Sequence, residues 1–170
     1  MKKGIIAATL FLVALRTTSI ATAKDNTTTL ISSRNITTGS FKKLIVDKNI
    51  HVVLVADESK TSIIVTGDKD YIQNITVSTD KDVMKISSAK NLKNRKVTVY
   101  IPVKGLSSIE LKSGARVSSE GILSSPLLSV LVHEGTTVEL QNFGKVEVTS
   151  SDDCEFIYEK NEVSKIVYAN

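Results

Sequence analysis

Three glutamates, Glu110, Glu139 and Glu147, are the carboxylates that the sequence places most regularly, since each follows or divides apolar residues in a strand-like run. Glycoside hydrolysis needs two carboxyl groups set across the scissile bond, and its general acid needs surroundings that raise its pKa. Strand alternation puts these three side chains on outward faces instead. No serine lies in a G-x-S-x-G context. We therefore predict no catalytic residues and a protein that is not an enzyme.

The sequence contains few residues whose type and spacing suit a metal site. His51, His133 and Cys154 show none of the spacings typical of zinc ligands. Acidic pairs that could bind calcium fall between strands, where aspartate is favoured by turn geometry alone. These pairs are Asp68/Asp70, Asp80/Asp82 and Asp152/Asp153. We predict no metal and no cofactor, and leave open only whether Asp152/Asp153 bind an ion.

Binding chemistry is better supported by the polar residues that alternate with apolar ones. The predicted outward binding face comprises Glu110, Lys112, Glu139, Glu147 and Thr149. Polar ladders of this kind could contact a surface glycan or an envelope or host protein.

A basic segment offers a second possible contact. Residues Lys90–Lys96 carry four positive charges in seven positions, which suits anionic glycans or lipid head groups but equally a solvated loop. No aromatic residue is interleaved, so the segment does not predict nucleic-acid binding.

The N-terminus has the three parts of a secretory signal peptide. Lys2 and Lys3 precede the 11-residue apolar run Ile5–Leu15, and Ala21-Thr22-Ala23 offers a cleavage site. The run is shorter than the roughly 20 residues that span a bilayer. We predict cleavage after residue 23, no transmembrane segment in the mature chain, and export to the periplasm, cell surface or medium.

Removal of the signal peptide changes the net charge of the chain and leaves its single cysteine far from the new N-terminus. The mature chain would hold 19 Lys and Arg against 18 Asp and Glu, so the basic balance of the whole chain comes mostly from the signal. A near-neutral chain gives no reason to expect nucleic-acid binding. The single cysteine, Cys154, lies far from the cleavage point, so we predict a protein that is not a lipoprotein.

The remaining chain divides into a polar leader over residues 24–40, whose composition is compatible with disorder, and one β domain over 41–170. Ser and Thr make up 32 of the 147 mature residues, which suits short strands and polar turns. No window of a dozen residues keeps a helical apolar period, so we expect little helix. The runs FKKLIV, HVVLVA and SIIVTGD, and the two halves of ITVSTDKDVMKI, predict a hairpin-rich N-terminal half.

An apolar-x-x-apolar-x-apolar unit recurs along the domain. Copies start at Phe41, Ile72, Leu106, Leu127, Phe143 and Val163, and the last four starts are 21, 16 and 20 residues apart. One unit is too short to bury its apolar face, whereas stacked units share a core. The spacing favours an all-β, β-helix or β-solenoid-like stack of short strands. An antiparallel β-sandwich with regular strand spacing is the alternative.

Two longer runs carry a resemblance to a known family. VTVYIPVKGLSSIELKSGARV and the upstream FKKLIVDKNIHVVLVADESKTSIIVTGDKDYIQNITVSTDKDVMKI resemble the putative autotransporter adhesin head GIN domain family of exported bacterial proteins. The resemblance spans about Phe41 to Tyr168 and implies a right-handed β-helix-like fold, export and an adhesive or surface role. The family's Ser-Gly-Ser-Gly turns are reduced here to Ser113-Gly114-Ala115 and Glu134-Gly135-Thr136, and the repeat region is short.

Three functions follow as hypotheses. The first is an exported, non-enzymatic domain with an adhesin-like or envelope role that binds a surface. The second is an exported enzyme acting on polysaccharide. The third is a structural envelope component that docks onto a partner chain. The sequence does not decide the oligomeric state.

Overall fold

The computed structural model describes residues 31–37, 39–150 and, for the backbone alone, 164–169. The regular secondary structure of this part of the chain is β-strand, as predicted, apart from one helix of a single turn, α1 (Lys69–Ile72). The thirteen strands are β1 (Ile31–Thr37), β2 (Lys43–Val46), β3 (His51–Val55), β4 (Ser62–Asp68), β5 (Ile75–Asp80), β6 (Val83–Ser88), β7 (Val97–Pro102), β8 (Ser108–Leu111), β9 (Arg116–Glu120), β10 (Leu127–Val132), β11 (Thr137–Asn142), β12 (Lys145–Ser150) and β13 (Ser164–Ala169).

These strands form two mixed sheets. The first sheet has seven strands in the order β1-β4-β7-β3-β9-β11-β13, and the second has six in the order β12-β10-β8-β2-β6-β5. In the first sheet, the adjacent strands β7, β3, β9 and β11 are parallel. In the second sheet, the adjacent strands β12, β10, β8, β2 and β6 are parallel. Antiparallel pairs join the outer strands β1 with β4, β4 with β7, β11 with β13, and β5 with β6.

Consecutive strands alternate between the two sheets in the parallel region. The pairs β6/β7, β2/β3, β8/β9 and β10/β11 each place one strand in the second sheet and the next in the first. Equivalent residues therefore stand in register: Leu44 pairs with Ile109, which pairs with Val130. Their inward side chains belong to one hydrophobic cluster shared by both sheets.

The predicted inward pairs of the repeat are buried in three copies. Leu44 and Val46 in β2, Ile109 and Leu111 in β8, and Val130 and Val132 in β10 have no exposed area. The reason is the two-residue period of a strand, which turns both members of apolar-x-apolar to one face.

The first position of the repeat does not behave uniformly. Phe41 and Leu106 are buried, whereas Leu127 is 48% exposed and Phe143 is 57% exposed. In β12 the register also departs from the repeat, because Val146 pairs with Leu128 and not with Val130. A shift of two residues keeps the same side chains inward, so the core tolerates it.

Two copies of the repeat lie outside the parallel stack. The copy starting at Ile72 ends α1 and continues into β5, which is antiparallel to β6. The last copy contributes Ile166 and Tyr168 to β13, which is antiparallel to β11 in the first sheet, and its Val163 lies outside the described residues. The repeat therefore predicted strands in both places but not their partners.

The hairpin prediction holds for only one pair of runs. The β5–β6 hairpin forms around Asp80–Asp82, with Lys81 at a φ of 51°. However, β2 and β3 belong to different sheets, and β7 lies between β3 and β4 in the first sheet. Each of these strands finds a partner from later in the chain, which a short polar connection cannot reveal.

The predicted polar leader is partly ordered. Its residues Ile31–Thr37 form β1, an edge strand that pairs with β4 along seven positions. Ser, Thr and Asn dominate its sequence, so apolar alternation gave no signal, although β-branched residues favour a strand. Ordered structure thus begins before Phe41.

Three four-residue corners carry the chain from the second sheet to the first: Asp47–Ile50, Lys112–Ala115 and His133–Thr136. The third residue of each has a positive φ of 59° at Asn49, 74° at Gly114 and 69° at Gly135. Asn and Gly are the residues that adopt this conformation at least cost. The fourth residue of each corner is buried.

The corners are hydrogen-bonded to each other as well as within themselves. The Gly114 N–H donates to the Glu134 carbonyl at 3.1 Å, and the Arg116 N–H donates to the Ile50 carbonyl at 2.8 Å. The stacked corners are therefore a fixed edge of the molecule. Among the described residues, no helix is long and apolar enough to cross a bilayer.

Candidate functional site

The outer face of the second sheet holds part of the predicted binding face. Glu110 lies in β8, and its carboxylate pairs with Lys112 and, at 3.2 Å, with Lys43 of β2. Both lysines contact the carboxylate, and the Glu110 side chain is only 16% exposed. They also hold the pKa of Glu110 below its ordinary value, with the Lys112 hydrogen bond as the main cause. A general acid needs the opposite shift.

The other predicted residues fall on two different surfaces. Glu147 and Thr149 lie in β12, two neighbours away from β8 on the second sheet, and Glu147 pairs with Lys145 at 2.6 Å. Glu139 lies in β11 of the first sheet, opposite Ser118 of β9. The structure therefore brings Glu110, Lys112, Glu147 and Thr149 to one side of the molecule and leaves Glu139 on the other.

A different surface lies beside the stacked corners, on the outer face of the first sheet. Thr98 of β7, His51 of β3 and Arg116 of β9 are direct neighbours across three parallel strands. Adjacent strands are about 4.8 Å apart, so these three positions span roughly 10 Å. They form the floor of an open groove of about 660 Å³, which Asn49, Gly114 and Gly135 also line.

The connection between β6 and β7 forms the wall of this groove. Its residues Leu92–Lys96 line the groove, and Leu92 is buried and holds the loop on the core. Hydrogen bonds within the loop shape it further, since the Lys93 N–H donates to Asn91 Oδ1 at 2.9 Å and the Arg95 N–H donates to the Leu92 carbonyl at 2.9 Å. The basic segment Lys90–Lys96 is therefore held in place by Leu92 and by these hydrogen bonds, and it forms the wall of the groove.

Tyr71 of α1 anchors the same wall from outside. The Arg95 guanidinium lies 4.8 Å and the Lys90 ammonium 5.5 Å from the centroid of the Tyr71 ring. Cation–π contacts of this kind contribute about 0.5–1 kcal/mol each at exposed sites. They orient two cations of the loop, Lys90 and Arg95.

The groove has one sign of charge. Its lining includes Lys93, Arg95, Lys96 and Arg116, and none of its described lining residues is acidic. Within the described part of the chain, no carboxylate lies within 4.0 Å of these four cations. A concave surface of one charge concentrates the field of its side chains on the space inside it.

His51 is the titratable group on the groove floor. Burial lowers its pKa from the ordinary value of 6.5, and the nearby Arg116 lowers it further, while Glu139 acts in the opposite direction. His51 is therefore neutral at pH 7, and its ring approaches Ser118 Oγ at 3.3 Å. The positive charge of the groove at neutral pH comes from its lysines and arginines.

A second, smaller groove adjoins the first. It measures about 430 Å³ and is lined by Ile31, Thr66, Gly67 and Asp68 together with the loop. Asn94, Arg95, Lys96 and Thr98 line both grooves, so the two share one ridge.

The residues considered for metal binding are not brought together. In the described ranges, no group of three or more His, Cys, Asp or Glu side chains could hold a metal ion. Asp68 caps α1 by accepting the Asp70 N–H at 3.0 Å, and His133 begins a corner after β10. Cys154 and Asp152/Asp153 lie outside the described residues.

Sequence reasoning identified the basic segment but not the floor of the groove. Arg116 and His51 are 65 residues apart in the chain and meet only because β3 and β9 pair in parallel. The one local signal was the position of each, directly after a corner with a positive-φ residue. Equivalent positions after equivalent corners lie side by side in a stack.

Comparison with known proteins agrees with the β architecture. The family model described as "Putative auto-transporter adhesin, head GIN domain" matches residues 40–159. No curated protein matches the chain.

Solved structures share the fold at low sequence identity. A putative adhesin from Parabacteroides merdae ATCC 43184 aligns with a TM-score of 0.60 and 18% identity, over 71% of this chain and 52% of that one. A putative adhesin from Bacteroides fragilis NCTC 9343 aligns with a TM-score of 0.54 and 19% identity, over 70% and 61% of the two chains. A putative lipid binding protein from Parabacteroides distasonis ATCC 8503 has a TM-score of 0.54 and 11% identity, over 71% and 59%. The chain thus spans about half to three fifths of the length of these structures.

Proposed function

The chain belongs to the putative auto-transporter adhesin, head GIN domain family, and on that premise we propose that it is an exported, non-enzymatic domain that binds a surface. The signal-peptide pattern of residues 1–23 supports export. After cleavage the mature chain would function in the periplasm, at the cell surface or outside the cell.

The observation that carries this function is the open groove beside the stacked corners. Its floor is built from three hydrogen-bonded strands and its wall from an anchored loop, so it is formed before any ligand arrives. Preformed sites lose less conformational entropy on binding. The groove is open along one side, which suits attachment to an extended surface better than enclosure of a small substrate.

We infer that the parallel pairs form a solenoid-like stack that supports this groove. The pairs β2/β3, β8/β9 and β10/β11 each repeat a four-residue corner between strands whose inward residues stand in register. Such a stack holds neighbouring outward side chains at the regular strand spacing.

The outer face of the second sheet is the alternative contact surface. It carries Glu110, Lys112, Glu147 and Thr149, while Glu139 lies on the opposite sheet. Glu110 is already paired with two lysines, so a ligand would have to displace them. For this reason the groove is the stronger candidate.

A binding assay with the mature chain tests the function. Residues 24–170, immobilised at increasing density, are exposed to cell-envelope fragments and to host extracellular-matrix coatings, and retention is measured against the heat-unfolded protein. We expect saturable retention with no release of reducing sugar ends. Absence of retention would contradict the proposal, and release of reducing ends that disappears with Glu110→Gln would favour a polysaccharide-active enzyme.

Paired variants then distinguish the two surfaces. Arg116→Glu alters the groove, whereas Glu147→Ala with Thr149→Ala alters the second sheet. We expect Arg116→Glu to weaken retention and the double alanine variant to leave it unchanged. The reverse result would assign the contact to the second sheet.

A further inference from the structure

We propose that the two adjoining grooves bind an extended acidic polysaccharide, whose carboxylate or sulfate groups pair with the cations along them. The proposal rests on the surface-binding function above and names the chemical class of its ligand. It concerns the groove on the first sheet, the smaller groove beside it and the shared ridge Asn94–Lys96.

Charge is the first argument. Lys93, Arg95, Lys96 and Arg116 surround the larger groove without an acidic residue among its described lining. The mature chain as a whole is nearly neutral, so this accumulation of positive charge is local. Four like charges repel one another when the groove is empty, and bound anions relieve that repulsion. The groove is therefore complementary to several negative groups at once.

Shape is the second argument. Thr98, His51 and Arg116 cross three strands, so the larger groove runs across the first sheet at its corner edge. The smaller groove continues on the other side of the ridge, where it is lined by Thr66, Gly67 and the acidic Asp68, whose carboxylate caps α1. A single small anion would occupy one end of this path. A linear polymer with repeated charges can lie over the ridge and enter both grooves.

Rigidity of the cations is the third argument. Arg116 extends from the first residue of a central strand, and Arg95 is held against Tyr71 at 4.8 Å. The backbone of Lys96 packs tightly on β4, because a Cβ at Gly67 would lie 2.3 Å from the Lys96 carbonyl oxygen. Cations on fixed backbone lose little freedom when they pair with a ligand.

The same features favour a polysaccharide over two other polyanions. Single-stranded nucleic acid needs aromatic rings on which bases stack, and none of the described residues that line the two grooves is Phe, Tyr or Trp. Membrane attachment needs apolar side chains beside the basic ones. Among the described residues that line the two grooves, only Ile31 is an exposed large apolar side chain, whereas Ile122 and Phe143 lie on the connections that return from the first sheet to the second and Leu127 begins β10.

The direct test measures binding of defined polymers to the mature chain. The probes are fluorescent alginate, which carries uronate carboxylates, and dextran sulfate, with neutral dextran as the uncharged control. The variant Lys96→Glu/Arg116→Glu is compared with Lys81→Glu/Lys85→Glu, which makes the same charge change on the β5–β6 hairpin, away from the groove. Circular dichroism and urea unfolding check that both variants are folded.

We expect alginate and dextran sulfate to bind wild type, with an affinity that falls as salt is raised. The groove variant is expected to lose about tenfold in affinity or more, and the hairpin variant less than about twofold. Because His51 gains its charge only below its lowered pKa, the affinity is expected to rise as the pH falls through that pKa. The same assay is run with vesicles of phosphatidylglycerol and phosphatidylcholine in equal parts, and with single-stranded DNA.

Three results would overturn the proposal. The first is equal loss of affinity in both variants, and the second is binding of neutral dextran as strong as that of alginate. The third is groove-dependent binding of the vesicles or the DNA that is tighter than that of both acidic polysaccharides. If surface retention persists in the groove variant, only this inference fails, whereas absence of any retention by wild type would contradict the surface-binding function itself.

Discussion

Glu110 shows how a single residue acquires its properties from neighbours far away in the chain. Its sequence context is that of an ordinary outward strand residue. In the structure, Lys43 from β2 and Lys112 from the following corner both reach its carboxylate. The pair of lysines favours the charged form, so the pKa of Glu110 lies below its ordinary value of 4.5. The residue therefore links the second sheet electrostatically rather than supplying a proton.

This arrangement predicts a pH dependence of stability. Because the pKa of Glu110 is lower in the folded chain than in the unfolded chain, its stabilising effect is complete above pH 4.5 and is lost as the pH falls through the lower, folded value. Urea unfolding of wild type and Glu110→Gln should therefore show a difference in unfolding free energy that is largest near neutral pH and shrinks in acid.

The control for this experiment is Glu147→Gln. Glu147 is 48% exposed, and among the described residues it forms a single ion pair, with Lys145. A much smaller difference is therefore expected, since exposed ion pairs contribute about 0–1 kcal/mol. A Glu110→Gln difference that stays constant from neutral pH into acid would show that the lysine pairs do not stabilise the carboxylate.

At the scale of elements, the corners decide how the strands stack. Each corner turns the chain from the second sheet to the first within four residues, through a third residue of positive φ. A Cβ on Gly114 would lie 2.4 Å from Asn49 Oδ1 of the neighbouring corner, whereas a Cβ on Gly135 would lie no closer than 3.6 Å to any atom outside its chain neighbours. The close contact shows that adjacent corners pack directly on each other.

Alanine substitutions at the two glycines separate conformational cost from packing cost. Gly135→Ala should lower the unfolding free energy by about 1 kcal/mol, the cost of positive φ for a residue with a Cβ. Gly114→Ala should cost about 2 kcal/mol, since it must also displace the Asn49 side chain.

A double-mutant cycle identifies the contact. In the Asn49→Gly background, the cost of Gly114→Ala should fall to about 1 kcal/mol, because the displaced atom is absent. Urea unfolding measures all four proteins. Equal costs of Gly114→Ala in both backgrounds would mean that the two corners are not in energetic contact.

At the scale of the whole molecule, one core joins strands that are distant in sequence. Leu44 and Ile109 are neighbours in the second sheet although 65 residues separate them, and their side chains join those of the first sheet in a single cluster. Within the described residues, neither sheet therefore buries its apolar face without the other. We expect the two sheets to unfold together.

Truncation of a central core residue tests this cooperativity. Ile109→Ala should lower the unfolding free energy by about 2–5 kcal/mol, because Ile109 is fully buried between β2 and β10. Val148→Ala, in edge strand β12, should cost less, since Val148 is only partly buried. For both variants, unfolding followed by far-UV circular dichroism and by tyrosine fluorescence should give one coincident transition. Separate transitions would mean that the stack unfolds in parts.

Much of the strand content was accessible from sequence because it depends on neighbours within the same strand. Alternation identified the inward residues Ile109, Leu111, Val130 and Val132. The Ser-Gly and Glu-Gly steps, which the family resemblance marked as turns, lie in two of the corners. The family resemblance, stated on residues 41–168, is confirmed by the match over residues 40–159. Strand β1 was missed, because its polar residues lack the alternation that burial imposes.

Partner choice was decided only by the tertiary structure. The hydrogen bonds of a strand can be satisfied equally well by many partner strands. The local sequence pattern alone therefore suggested that β2 and β3 pair as a hairpin. Packing of the shared core instead pairs β2 with β8 and β3 with β9. For the same reason the sequence determined that Lys96 and Arg116 are basic and exposed, but only the parallel stacking of β7, β3 and β9 brings them to one groove. The sequence by itself determined which residues face inward, and the three-dimensional pairing of distant strands decided which outward residues form a site.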